Sequence, residues 1–280
     1  MFMNITTFVI LHYETINDTK KCLDSLIKYV DSGDTYIIVV DNGSKVGRLY
    51  DLEKEYQFNK FVVFIRSETN LGFAKGNNLG FKYAKDILNS KFIILANNDI
   101  VFEEGNFVKK LKSLYKERQF DVAGPKIISL IDGKNQNPVK KMYNNQLDVR
   151  KRLKKFRILM LFSYLNIDII VQRFTRKKID EFVPKFDEDI QLHGACLIFS
   201  ENYINNYSGL YDGTFMYGEE SILKYIAERD QMKMIYTDQL KVYHKEGSST
   251  DSIYGKGIKK RQFYYKWNIE SCEILLKIMG

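Results

Sequence analysis

Three cysteines in 280 residues, Cys22, Cys196 and Cys272, stand far apart and without the close spacing of a metal site. That argues against a disulfide framework and a zinc finger, and points to a reducing cytoplasm. No run approaches the ~20 continuous apolar residues that cross a bilayer. The nearest, "ILMLFSYLNIDIIV" at 158–171, is interrupted by Asn166 and Asp168. The N-terminal "MFMNITTFVILHYE" lacks a basic n-region and a small-residue cleavage site, so it reads as a first strand. Internal repeats and a Pro/Ser-rich linker are also missing. The expectation is therefore one domain over 1–280, made of a half at 1–130, a basic insertion at 134–185 and a second half at 190–280.

What is present suffices for a packed core, with 45% hydrophobic and 14% aromatic residues. Strand signals in "TTFVIL", "TYIIVV", "KFVVFIR" and "KFIILA" alternate with helical segments predicted at 17–30, 45–56 and 75–88, the first capped by Asn17 or Asp18. This is the pattern of an α/β fold with a Rossmann-like, mostly parallel central sheet flanked by helices. In such sheets ligands sit outside the carboxyl ends of the strands. Three strands end there in polar clusters, at Asp41, from Arg66 to Asn78, and at Asp99, so all three are expected along one edge.

A net charge of +8 and a pI of about 9.1 suggest an anionic partner: a nucleotide diphosphate, nucleic acid or an anionic membrane face. The stretch at 134–185 is densely basic with interleaved apolar residues. It reads as a solvated helical pair or as an amphipathic surface for anionic lipid headgroups. Its aromatics are not spaced as a stacking platform, which weighs against a nucleic-acid partner.

Each polar cluster has a bland reading beside a chemical one. "VVDNGS" is a turn signal, yet Asp41 could accept the imide N–H of a uracil or thymine. "NLGFAKGNNLG" at 70–80 is a turn before a helix, or a loop letting backbone close to a ligand, with Lys75 or helix N–H groups for phosphate. At Asn97, Asn98 and Asp99 a hard cation such as Mg2+ or Mn2+ could take oxygen ligands, with Asp99 the anionic one. In "FMYGEESIL", Glu219 and Glu220 either complement a helix dipole or include a general base. His244 in "VYHKEGSS" is a structural histidine or a third ligand, and His193 in "LHGACLIF" a core histidine or an acceptor contact.

In this order, "VILHY", "VVDNGS", "NLGFAKGNNLG", "LANNDI", "HGACLIFS", "GLYDGTFMYGEESIL" and "HKEGSS" resemble the family 2 glycosyltransferases, in particular the rhamnosyltransferase-like branch of bacterial polysaccharide assembly. The resemblance implies a GT-A fold with the basic segment as a helical insertion, and an inverting transfer from a UDP- or dTDP-sugar to a saccharide hydroxyl, the acceptor expected to be lipid-linked. Capsule, O-antigen or cell-wall polysaccharide is the implied product. By position Asp41 corresponds to the family's base-recognition acid, and Asn97, Asp99 and His244 to its Mn2+ or Mg2+ site; Tyr13, Asn70, Gly72, Lys75, Asn78 and Asn98 are the other residues expected around the nucleotide. Glu219 and Glu220 correspond to the family's catalytic pair of acids, Glu220 as the base and Glu219 as the one touching the acceptor; His193 and Tyr217 are further expected acceptor contacts. Asn97 stands where the family's D-x-D motif has its first Asp, and Glu220 where the family has Asp. A cytoplasmic protein, peripheral at the inner face of the plasma membrane, is expected. The competing classes are a sugar-nucleotide nucleotidyltransferase, whose Gly-rich basic signature is missing near the N-terminus, and a non-enzymatic nucleic-acid or membrane binder.

Overall fold

The computed structural model describes residues 4–29, 33–46, 49–170, 190–246 and 257–280. Strand β1 (Thr6–His12) has every residue from Thr6 to Ile10 buried, with Phe8 and Ile10 entering one apolar cluster and Val9 the other. A strand covered on both faces must be apolar at successive positions, which is why "TTFVIL" shows no alternation. Phe8 meets Phe102 and Phe107 edge-on or tilted, at centroid distances of 5.2 and 5.9 Å. Removing such a side chain typically costs ~3–5 kcal/mol.

β1 pairs in parallel with β2 (Thr35–Asn42) and β4 (Phe92–Asn97), and β2 with β3 (Val62–Ser67). Beyond β4 comes β9 (Cys196–Ser200), antiparallel to it, then β6 (Val122–Ser129) and β10 (Met234–His244), parallel to each other, and at the edge β5 (Ile100–Val101). The mostly parallel sheet is thus as expected, with β9 and β5 running against the rest. Because β9 is reversed, its beginning lies where β4 ends: Ala96 pairs with Cys196, and the Asn97 N–H donates to the Ala195 carbonyl. That reversal brings "HGA" beside "NND". A separate short ladder joins β7 (Val139–Lys140) to β8 (Ile190–Gln191).

Helices α1 (Ile16–Tyr29), α2 (Tyr50–Tyr56) and α3 (Phe73–Asp86) fill the first crossovers, followed by α4 (Phe107–Arg118). Two boundaries differ from those predicted. α1 starts one residue early, with the Thr15 carbonyl accepting from Asp18 and Thr19 N–H, so neither Asn17 nor Asp18 caps it. Asp18 instead pairs with Lys245 across the sheet end at 2.7 Å. α2 begins at Tyr50, not 45, because the Glu14 carboxylate takes the N–H groups of Lys45 and Val46 at 2.8 Å and holds them in a loop.

The basic segment contributes α5 (Gln146–Ser163), which lies along the C-terminal α8 (Ile258–Ile278). Val149, Leu153, Phe156 and Leu159 are buried, in clusters with Tyr265, Cys272 and Leu275. Asp168, which breaks the longest apolar run, is fully buried and accepts from Arg261 at 2.7 Å and from the Tyr265 hydroxyl at 2.8 Å. These bonds hold its carboxyl below the usual carboxylate range despite burial. Two shorter helices, α6 (Glu201–Asn206) and α7 (Glu219–Arg229), complete the described elements. Among the described residues no helix is long and apolar enough to cross a membrane.

Candidate functional site

The carboxyl ends of β1, β2, β3 and β4 lie side by side: His12 pairs with Asp41, Asp41 with Arg66, and Leu11 with Asn97. Asp41 is buried and accepts from the Ser44 N–H at 3.0 Å, which closes the turn after β2. Tyr13, half-buried, follows β1. Asn42, which the sequence reading passed over, organises the glycine loop: its amide oxygen accepts from Leu71 N–H, and its NH2 donates to the Asn70 side chain and the Gly72 carbonyl. Asn70 also accepts from Gly72 N–H at 2.9 Å.

Gly72 adopts φ 88°, and a Cβ there would lie 2.2 Å from the Phe215 carbonyl oxygen. Only glycine combines that left-handed geometry with so close an approach. The loop at 70–73 therefore seats against the segment before α7, and Phe73 N–H donates to the same carbonyl at 2.8 Å. Lys75 is exposed in the first turn of α3. Two expected nucleotide contacts are engaged elsewhere. Asn78 is buried and satisfied on both amide atoms by the Leu210 backbone at 2.8 Å. Asn98 directs its NH2 to Thr15 and Thr19 of the α1 start. Both are clamps between elements, because a buried amide must find partners wherever the fold offers them.

Asp99, in the turn after β4, and His244, the last residue of β10, come together, with Asp99 Oδ1 3.2 Å from His244 Nε2. The other ring nitrogen, Nδ1, is 2.8 Å from the Gln136 amide oxygen and is assigned as the donor. An imidazole tethered through one nitrogen with the other aimed at a carboxylate has the outer-shell arrangement of a metal-ligating histidine. Neighbouring ligands on an octahedral Mg2+ at 2.0–2.1 Å lie about 3 Å apart, so this donor pair fits one divalent ion. Asn97 is half-buried beside them. Among the described residues no group of three or more His, Cys, Asp or Glu is gathered for a metal, so substrate oxygens and water would have to complete the shell.

His193 bridges this pair and the acidic cluster, its ring 5.9 Å from that of His244. Asn137 fixes it by accepting from its backbone N–H at 3.0 Å. Burial, then the neighbouring His244, push its pKa down to about 4. It is neutral at physiological pH. Gln136 and Asn137 are not legible from sequence because their partners, His244 and His193, lie 108 and 56 residues away.

The next residue, Gly194, leaves room for Glu220: a Cβ there would lie 2.3 Å from Glu220 Oε1. Ahead of α7, Tyr217 at φ 70° and Gly218 at φ 86° form a left-handed pair, secured by Ser271 donating to the Tyr217 carbonyl. A left-handed tyrosine costs of order 1–3 kcal/mol and persists where its surroundings over-determine it. The outcome is that the two acids differ. Glu219 is buried and accepts from the Thr214 hydroxyl at 2.9 Å, while Glu220 remains half-buried and lines a cavity.

Burial, followed by the charge of Glu220, pushes Glu219 up to about 7, and burial also raises Glu220. Because the folded values exceed the unfolded ones, the folded protein holds protons that the unfolded chain releases. Stability from this pair is full below the unfolded value of 4.5 and is lost as pH rises to about 7. Glu219→Gln should therefore show a smaller fall in Tm between pH 4.5 and pH 7 than the unsubstituted protein. Parallel declines in thermal scans would contradict this assignment.

A family model described as "Glycosyl transferase family 2" matches residues 7–183. The chain is 22% identical over 228 residues to the low-salt glycan biosynthesis hexosyltransferase Agl10 of Haloferax volcanii, covering 81% of this chain and 63% of that protein. It is 30% identical over 117 residues to the dTDP-rhamnosyl transferase RfbF of Shigella flexneri, covering 41% and 36%. The chain thus matches less than two thirds of the length of either curated relative. A structure of GalNAc-T7 with UDP, GalNAc and Mn2+ aligns with a TM-score of 0.60 at 14% identity, over 88% of this chain and 44% of that one. S. aureus TarS 1-349 with UDP-GlcNAc aligns at 0.56 and 16%, over 89% and 61%. These likenesses show the fold, which is GT-A.

Proposed function

Since the chain belongs to glycosyl transferase family 2, we propose that it moves a sugar from a UDP- or dTDP-sugar to a saccharide hydroxyl with inversion. The observation that carries this reading is the convergence of the Asp99–His244 pair, His193 and Glu220 at one end of the sheet, against the loop organised by Asn42 and Gly72.

In this reading Glu220, the acid with an open side, takes the proton of the acceptor hydroxyl as that oxygen attacks the anomeric carbon and the nucleoside diphosphate departs. Glu219 holds α7's first turn through Thr214 and tunes its neighbour by charge. Asp41 recognises the base, while Lys75 and the N–H groups in the first turn of α3, apart from that of Phe73, which the Phe215 carbonyl takes, face the phosphates. Neutral His193 borders the acceptor without placing a second cation there. A Mg2+ or Mn2+ held by Asp99 and His244 would act as a Lewis acid toward the leaving diphosphate. The test is transfer itself: incubation with UDP- and dTDP-sugars and saccharide acceptors, with the anomeric configuration of the product read by NMR. A product of retained configuration, or nucleoside-diphosphate sugars that are neither bound nor turned over, would overturn the reading.

A lipid-linked acceptor of capsule, O-antigen or cell-wall assembly, reached from the inner membrane face, belongs to the same proposal. Its support is the outer surface of α5 and the turn after it. Arg150, Lys151, Lys154, Lys155 and Arg157 are exposed there, followed by exposed Leu161, Tyr164, Leu165, Ile169 and Ile170. Cations beside accessible apolar side chains suit an anionic bilayer interface. The remainder of the expected surface, 171–185, lies outside the described residues. Co-sedimentation with phosphatidylglycerol-containing vesicles at low salt, weakened at high salt, is the expected outcome. Failure to bind at low salt would remove the membrane from the account.

A further inference from the structure

Behind Glu220, between the start of α7 and the paired α5 and α8, lies a cavity of about 140 Å3. Tyr143, Arg152, Tyr217, Glu220, Asn268 and Ser271 are among its lining residues. Among the described residues of that lining, Arg152 is the one Lys or Arg and Glu220 the one acid. No ion pair joins the two: Glu220 Oε1 lies against Gly194, whose backbone hydrogen-bonds the carboxylate, while Glu220 also lines the cavity.

Arg152 Nε is buried and has no hydrogen-bond partner. The guanidinium lies over Phe156 at 4.9 Å and Tyr143 at 5.9 Å, so its plane is held by ring contacts, while the half-buried residue as a whole lines the cavity. A buried guanidinium N–H without a partner is costly, and a planar fork of donors matches a phosphate or carboxylate. Where such a fork shares a cavity with the general base, the complementary group belongs on the molecule that the base deprotonates.

We infer that Arg152 anchors an anionic group of the acceptor, a phosphate or a carboxylate, in the cavity that presents the acceptor hydroxyl to Glu220. This rests on Glu220 being the base. It narrows the acceptor to a saccharide carrying a negative charge near the reacting hydroxyl, and gives the basic insertion a part in acceptor selection. The phosphate would come from a phosphate-linked saccharide and the carboxylate from an acidic sugar.

The experiment uses inorganic phosphate and glucuronate as probes in thermal-shift titrations of the full chain, with UDP present throughout to fill the donor site. One of the two anions should stabilise the unsubstituted protein, and whichever does so names the source. In Arg152→Gln the apparent Kd for that anion should rise about 10- to 100-fold, the range for losing a charge-assisted hydrogen-bonded pair. Arg152→Lys, which keeps the charge but not the fork, should fall between, and it serves alone if the glutamine variant does not fold. No response to either anion, or equal response in all variants, overturns the inference. The shift produced by UDP itself is read separately: its absence would count against the donor reading, and its presence without an anion response against Arg152 only.

Discussion

Glu220→Gln should lower turnover by at least ~10²-fold while leaving the affinity for nucleoside diphosphate nearly unchanged. The amide has the shape of the carboxyl and can still lie against Gly194, where a Cβ would come within 2.3 Å of Glu220 Oε1, but it cannot accept a proton in the transition state. The loss should fall on kcat more than on KM for the donor, since an interaction made only in the transition state is removed. Glu219→Gln should be much milder. Its carboxyl is buried behind Thr214, and the substitution removes a neighbouring charge from Glu220 without removing the base. Activity of the Glu220 variant within a few-fold of the unsubstituted protein would contradict the assignment, and so would an equal collapse in the Glu219 variant.

Asp99→Asn should abolish the metal response and lower turnover by about 10²-fold or more, corresponding to several kcal/mol of lost charge stabilisation at the leaving group. Asp99 is the one carboxylate in the "NND" cluster, since Asn97 has no charge to offer, and its Oδ1 faces His244 Nε2 at 3.2 Å. Gln136→Ala should act in the same direction but less strongly, because it frees the imidazole ring of His244 without removing either proposed ligand. Titration of Mn2+ against UDP affinity separates these cases. An Asp99 variant whose UDP affinity still rises with Mn2+ would place the ion elsewhere or dispense with it.

The sheet and the first three crossovers were legible because strands buried on both faces announce themselves as unbroken runs of Ile, Val and Phe. Asp99, His244, Glu219 and Glu220 stand out in the sequence as candidates because carboxylates and imidazoles at strand ends and helix starts are few. Asparagines were the harder case. Asn78 and Asn98 look in sequence like ligands, yet they clamp Leu210 and α1, while Asn42 in the quoted "VVDNGS" orders the glycine loop. An amide donates and accepts with equal ease, so its residue type does not say whether its partner is a ligand or the chain itself. The supports of the histidines, Gln136 and Asn137, depend on β9 and β10 meeting a distant segment, which no local pattern encodes.

We propose that the edge formed by Asp41, the glycine loop and the Asp99–His244 pair binds a nucleoside diphosphate with a divalent ion. The most direct measurement is a thermal-shift panel of UDP, TDP, GDP and CDP, each with and without Mn2+, because a ligand that binds only the folded state raises its stability by RT ln(1 + [L]/Kd). The account requires a rise in Tm with UDP or TDP that grows when Mn2+ is added. No rise with any of the four diphosphates would contradict it, and would leave the two acidic clusters as structural features of the sheet edge.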